Sequence, residues 1–249
     1  DNDYMQPHNV CRHALLNKHL FQKKVEALKE ELDNMFVDFR RVTIKDVDIM
    51  SWLPKQDLSK YELIIDATAS ASVFRLVDQL MQNTTIPCVR FSLSDAGKLG
   101  LLYQRSDTTN LLSDYYMYLA SLAVENEELN QWICQEARYN HDLVRIGEGC
   151  HSNTMILSDD IISTHTAIAS NIIRNMFEGK QNNTAYLSFT DIDYIGQVFT
   201  DMFEIPQFVS IKCEGNSEWV VRIPVDILNS IYRYARKTKK EIGGYMMGN

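Results

Sequence analysis

The chain has 249 residues, 45% of them hydrophobic, and 25 Lys+Arg against 33 Asp+Glu give a formal net charge of −8. That acidic balance argues against a nucleic-acid partner, which needs a basic face to neutralise phosphates, and no apolar run approaches the ~20 residues that span a bilayer. The five cysteines at 11, 88, 134, 150 and 213 form no C-x-x-C pair, as expected of reduced thiols in a cytoplasm.

The length suits one large domain or two smaller ones. An opening rich in Asp, Asn and Arg leads into a helix over 23–32, with Val25, Leu28 and Leu32 on one face. Residues 40–47 alternate Val42, Ile44 and Asp46 against Arg41, Thr43 and Lys45, which predicts a strand. A short apolar strand over 61–66 ends in Asp66, and a helix follows through Val73, Leu76, Val77 and Leu80. Such strand ends are where α/β sheets bind ligands. Strands are predicted over 86–93 and 98–104, joined by the turn Asp95-Ala96-Gly97. A helical stretch over 111–124 continues through 127–136, and a glycine-bounded loop occupies 145–154. Ser158 caps a helix reaching about Phe177, and short strands are predicted near 185–189 and 208–213. After residues 214–217 the pattern restarts: a strand over 218–224, a helix from Val225, and a glycine-punctuated strand over 241–248. Strand–helix alternation predicts a Rossmann-like α/β layer, and the restart places a boundary between units 1–214 and 215–249.

Asp1, Asp3, Asn9, Arg12 and Lys24 bring two carboxylates, an amide, a guanidinium and an ammonium into one loop and helix start. That set suits a phosphate ester and a ribose: Arg and Lys for phosphate oxygens, an acid for ribose hydroxyls. Asp66 either lends charge to such a site or has a structural role. His8, His13 and His19 share the opening, but their spacing matches no rigid metal pair, so no metal ligand is assigned. Cys150, between Gly149 and His151 and ahead of a helix, is either a surface thiol or a nucleophile activated by a helix N-terminus and a neighbouring imidazolium. Cys11 and Cys88 read as packing residues.

The order Asp-x-Asp, Asn-x-x-Arg, then Lys at a helix start resembles the segment after the second strand of the ThiF/MoeB/E1 superfamily, adenylating enzymes that activate ubiquitin-like proteins. The resemblance extends over 1 to about 178 and implies ATP and Mg2+ as cofactors. It implies nucleotide contacts from Asp1, Asp3, Asn9, Arg12, Lys24 and Asp66, with Arg12 also catalytic. Two of its parts are missing. The glycine-rich phosphate loop would precede Asp1, and Ala69 stands where an acid helps hold magnesium, so adenylation uses a shifted ligand set or the site is weakened. Cys150 occupies the region where thioester-forming members carry their cysteine. Residues 218–249, with Glu241-Ile242-Gly243-Gly244, resemble the start of a JAB/JAMM (MPN) isopeptidase domain, which implies Glu241 as a catalytic base. The Zn2+ expected for that complete domain would be bound by ligands not in this chain.

The first and last residues suggest a piece of a longer protein. Together the resemblances imply a fusion of the bacterial ubiquitin-like conjugation type, associated with antiviral defence. It would adenylate a ubiquitin-like protein, form a thioester at Cys150 and hand its cargo to an E2-like protein, as a homodimer. The alternatives are a sulfur-carrier adenylyltransferase of the ThiF/MoeB type without a catalytic cysteine, and a non-catalytic E1-like scaffold.

Overall fold

The computed structural model describes residues 3–35, 42–68, 70–82, 84–94, 97–105, 110–127, 129–131, 143–145, 153–155, 157–178, 186–193, 195–212 and 220–237. Its centre is a five-stranded sheet. After helices α1 (Lys24–Met35) and α2 (Ile49–Trp52), strand β1 (Ile64–Asp66) leads through helix α3 (Ala71–Met81) into β2 (Cys88–Ser94), and β1 and β2 are parallel, with Ile64 opposite Cys88. The remaining pairings are antiparallel: β2 with β3 (Leu99–Arg105), β3 with β6 (Tyr186–Ile192), and β6 with β7 (Val198–Glu204). The molecule is therefore α/β, as the sequence predicts, with one parallel crossover and an antiparallel continuation.

Between β3 and β6 the chain inserts helix α4 (Leu112–Glu125), the short ladder β4 (Leu143–Arg145) with β5 (Asn153–Met155), and helix α5 (Asp159–Phe177). The ladder takes in both flanks of the stretch expected to be loop over 145–154. Helical backbone also covers 129–131.

Strand β3 is buried at all seven positions, and its side chains alternate between two cores. Leu99, Leu101 and Tyr103 join Val73, Val77 and Met81 of α3 and Tyr115, Leu119 and Ala123 of α4. On the opposite face, Leu102 and Val89 meet Ala169 and Ile172 of α5. Gly100 lets α5 approach: a Cβ built there would lie 2.4 Å from His165 Nδ1. His165 is 1% exposed, and its Nε2 lies 2.7 Å from the Gly97 carbonyl oxygen. Burial holds this imidazole's pKa below its ordinary value. Arg105, fully buried, donates from Nη1 to the Met81 carbonyl at 2.9 Å, so a cation meets the C-terminal end of α3.

Two expectations need correction. Residues 42–46 form no strand. Val42 and Ile44 are half-buried and Thr43 and Lys45 exposed, so the alternation is real, but the segment has no ladder partner among the described residues. Strand β7 was not expected. Asp193 builds the turn into it, its Oδ1 accepting from the backbone of Ile195 at 2.9 Å and Gln197 at 2.8 Å, with Gly196 at φ +81°.

Strand β8 (Phe208–Lys212) pairs antiparallel with β9 (Val220–Pro224), which runs directly into helix α6 (Val225–Lys237). This ladder joins residues on both sides of 214. It is fastened to α4 by Arg222, which donates to both carboxylate oxygens of fully buried Asp114 at 2.7 and 2.5 Å. Among the described residues, no helix is long and apolar enough to cross a membrane.

Candidate functional site

The opening residues fold beside the start of helix α1 (Lys24–Met35). Tyr4 bridges Lys23; the Met5 amide donates to Gln22 O at 2.8 Å, Phe21 N to Met5 O at 2.8 Å, and Lys24 N to Asp3 O at 2.9 Å. Phe21 takes a left-handed φ of 66° to make its bond, a conformation rare outside glycine. Met5, Leu15 and Ala27 form a small, fully buried core beneath.

This pairing sets Asp3 against the first residue of α1. Lys24 Nζ donates to Asp3 Oδ2 at 2.5 Å, with Lys24 18% exposed and Asp3 51%. Solvent-facing ion pairs of this kind contribute about 0–1 kcal/mol, so a more highly charged anion can compete for the ammonium. The helix N-terminus adds a favourable field for such an anion.

Asn9 is 7% exposed, and its Oδ1 accepts from the Gln6 amide at 3.0 Å. With Pro7 it closes the 3-10 turn Pro7–Arg12, so its amide holds the turn. Arg12 ends that turn, but its side chain lies outside the description. Asp1, Ala69, Cys150, His151 and Glu241 lie outside the described residues altogether.

Asp66 belongs to a different cluster. Its Oδ2 accepts from Arg90 Nη1 at 2.5 Å, and its Oδ1 accepts from the Thr68 amide at 3.0 Å and hydroxyl at 2.7 Å. Asp66 and Arg90 are 3% and 5% exposed, and the guanidinium lies 4.4 Å from the centroid of the Phe74 ring. Of the two roles open to Asp66 from the sequence, this geometry is the structural one. The one described carboxylate at the β1 end already accepts three hydrogen bonds, and position 69 is Ala, so among the described residues this strand end offers a magnesium ion no uncommitted carboxylate.

The structure thus brings together Asp3 and Lys24, with Asn9 supporting the adjacent turn. Sequence reasoning missed Arg90, the cation that holds Asp66, and the burial of His19. Cys88 is buried in β2, where loss of solvent pushes its thiol up to about 12, in keeping with a packing role. A surface groove between α1 and Ile44 is lined by Glu26, Glu30 and Asp33 with one cation, Lys29, the wrong balance for a polyphosphate.

No protein-family model matches the sequence, and no curated protein matches it. Among solved structures, Escherichia coli MccB, crystallised with AMPCPP and selenomethionine MccA, matches with a TM-score of 0.50 at 11% identity over 83% of this chain. The chain spans 55% of that protein's chain. At this identity the likeness is one of fold.

Proposed function

We propose that this chain contributes the nucleotide-contacting half of an ATP-dependent adenylating enzyme, one that activates the C-terminal carboxylate of a protein or peptide. The observation that supports it most is the Asp3–Lys24 pair: a cation at a helix N-terminus, held by a carboxylate in an exchangeable contact, on an α/β fold. The fold likeness to E. coli MccB, crystallised with the nucleotide analogue AMPCPP and MccA, supports the same reading.

In this reaction a carboxylate oxygen attacks the α-phosphorus of ATP, pyrophosphate leaves, and an acyl adenylate forms. Lys24 and Arg12 would offset the charge that develops on the phosphate oxygens, and Asp1 would accept the ribose hydroxyls. ATP–pyrophosphate exchange by the full-length protein tests this, with loss expected in Arg12→Ala; exchange at wild-type rate in that variant would refute it.

In the finer reading, the substrate is a ubiquitin-like protein and Cys150 takes over the acyl group: its thiolate attacks the acyl carbon and AMP leaves. The thioester would then pass to an E2-like protein, within a homodimer. The units would be 1–214 and 215–249, tied by the β8–β9 ladder and the Arg222–Asp114 pair, with Glu241 acting as base in a JAB zinc domain. A reducible adduct that disappears in Cys150→Ala supports the thioester step, and an undiminished adduct would leave the sulfur-carrier type of adenylation. The three hydrogen bonds already held by Asp66, with Ala at position 69, favour a second reading, a non-catalytic scaffold, which predicts no exchange in the wild-type protein.

A further inference from the structure

Among the described residues, His19 is the most deeply buried polar group of the opening lobe. The 3-10 turn Asn17–His19 sets its imidazole beside α1, with 1% of the side chain exposed. Nδ1 has no hydrogen-bond partner among the described residues. Nε2 faces Glu31 Oε1 at 3.2 Å, an ion-pair contact when the ring is protonated. One ligand atom from each of His19, Glu30 and Glu31 lies within 4.8 Å of the others. Two donors bound to one ion at tetrahedral zinc distances stand roughly 3.3–3.6 Å apart, close to the His19–Glu31 separation.

We propose that His19, Glu30 and Glu31 form a binding site for one divalent transition-metal ion of the zinc class. An imidazole with two carboxylates suits zinc, manganese or iron, whereas magnesium and calcium take oxygen ligands alone. Zinc fits best, with water completing a tetrahedron on the side of Glu30, which is exposed and open to entry. The ion clips turn 17–19 to the middle of α1, about 10 Å along the helix from Lys24. That lobe's own core is small, so such a staple is felt in its stability. The site is separate from the zinc implied by the isopeptidase resemblance.

Lys18 is the competitor. Its ammonium lies 2.5 Å from Glu31 Oε1, on a side chain 56% exposed that is free to swing into solvent. An arriving dication displaces it, so metal and Lys18 exclude one another at Glu31.

The test is zinc titration of the metal-stripped full-length protein against a chromophoric chelator, with circular dichroism confirming the fold of each variant. His19→Ala is expected to lose one equivalent of zinc relative to wild type, and the near-isosteric Glu31→Gln to weaken that equivalent by at least about tenfold. Lys18→Ala is expected to tighten it, and magnesium at the same concentration not to compete. Unchanged zinc binding in Glu31→Gln overturns the site even if His19→Ala fails to fold, as does weaker binding in Lys18→Ala.

Discussion

Asp66 and Asp3 are both aspartates at the edge of an element, each met by one cation at 2.5 Å, and they differ in what surrounds them. Asp66 sits between the sheet and α3, both of its oxygens bonded, to Arg90 and Thr68, and its partner packed on Phe74. Asp3 faces solvent, and its Lys24 heads a helix resting on a three-residue buried core. The difference separates holding from binding. A buried pair cannot release either member without stranding a charge, while a half-open pair can exchange its carboxylate for a ligand's phosphate at little loss.

The contrast predicts a gradient of effects. Asp66→Ala strands the Arg90 guanidinium and is expected to destabilise the protein by about 3–5 kcal/mol, read from urea unfolding. A loss under ~1 kcal/mol would mean the pair is not structural. Gly100→Ala drives a methyl group into His165 and is expected to cost about 1–3 kcal/mol; a neutral result would show that α5 can back away from the sheet.

A pH effect follows from the same contact. The His165 pKa is lowered from 6.5 by burial. An unfolded imidazole takes a proton as pH falls through 6.5, and the folded one resists until lower pH. Stability is therefore full above 6.5 and declines as pH falls below it. Urea midpoints at pH 7.5 and 5.5 check this, with a smaller decline expected in His165→Gln. Asp3→Asn stands at the bottom of the gradient, with an expected change under about 1 kcal/mol; a change as large as that of Asp66→Ala would erase the distinction between the two pairs.

Much of the sheet was legible in the sequence because apolar periodicity and turn chemistry are local. The helix through Val73 and Val77, the helix ending at Phe177, and the β2–β3 turn at Gly97 all follow from neighbours along the chain. Strand β7 escaped because it is an edge strand whose Val198, Phe199 and Met202 face solvent, and Thr200 and Asp201 break its apolar run; the Asp193–Gly196 turn was the available clue. The alternation at 42–46 misled, because pleating is a local property and finding a partner strand is not.

In the candidate site, the Asp3 and Lys24 positions were readable as a charge inventory, and the contact between them was not. Arg90 lies 24 residues from Asp66 inside a strand, so its pairing depended on sheet register. The burial of His19 likewise arises from packing against α1.

The exchange of a carboxylate for a phosphate at Lys24 is tested most directly by calorimetric titration of the full-length protein with a non-hydrolysable ATP analogue. Lys24→Ala is expected to weaken binding by at least about tenfold, as loss of a charge-assisted contact implies, with the fold intact by circular dichroism. Wild-type affinity in Lys24→Ala would contradict the account and remove the opening loop from the nucleotide site.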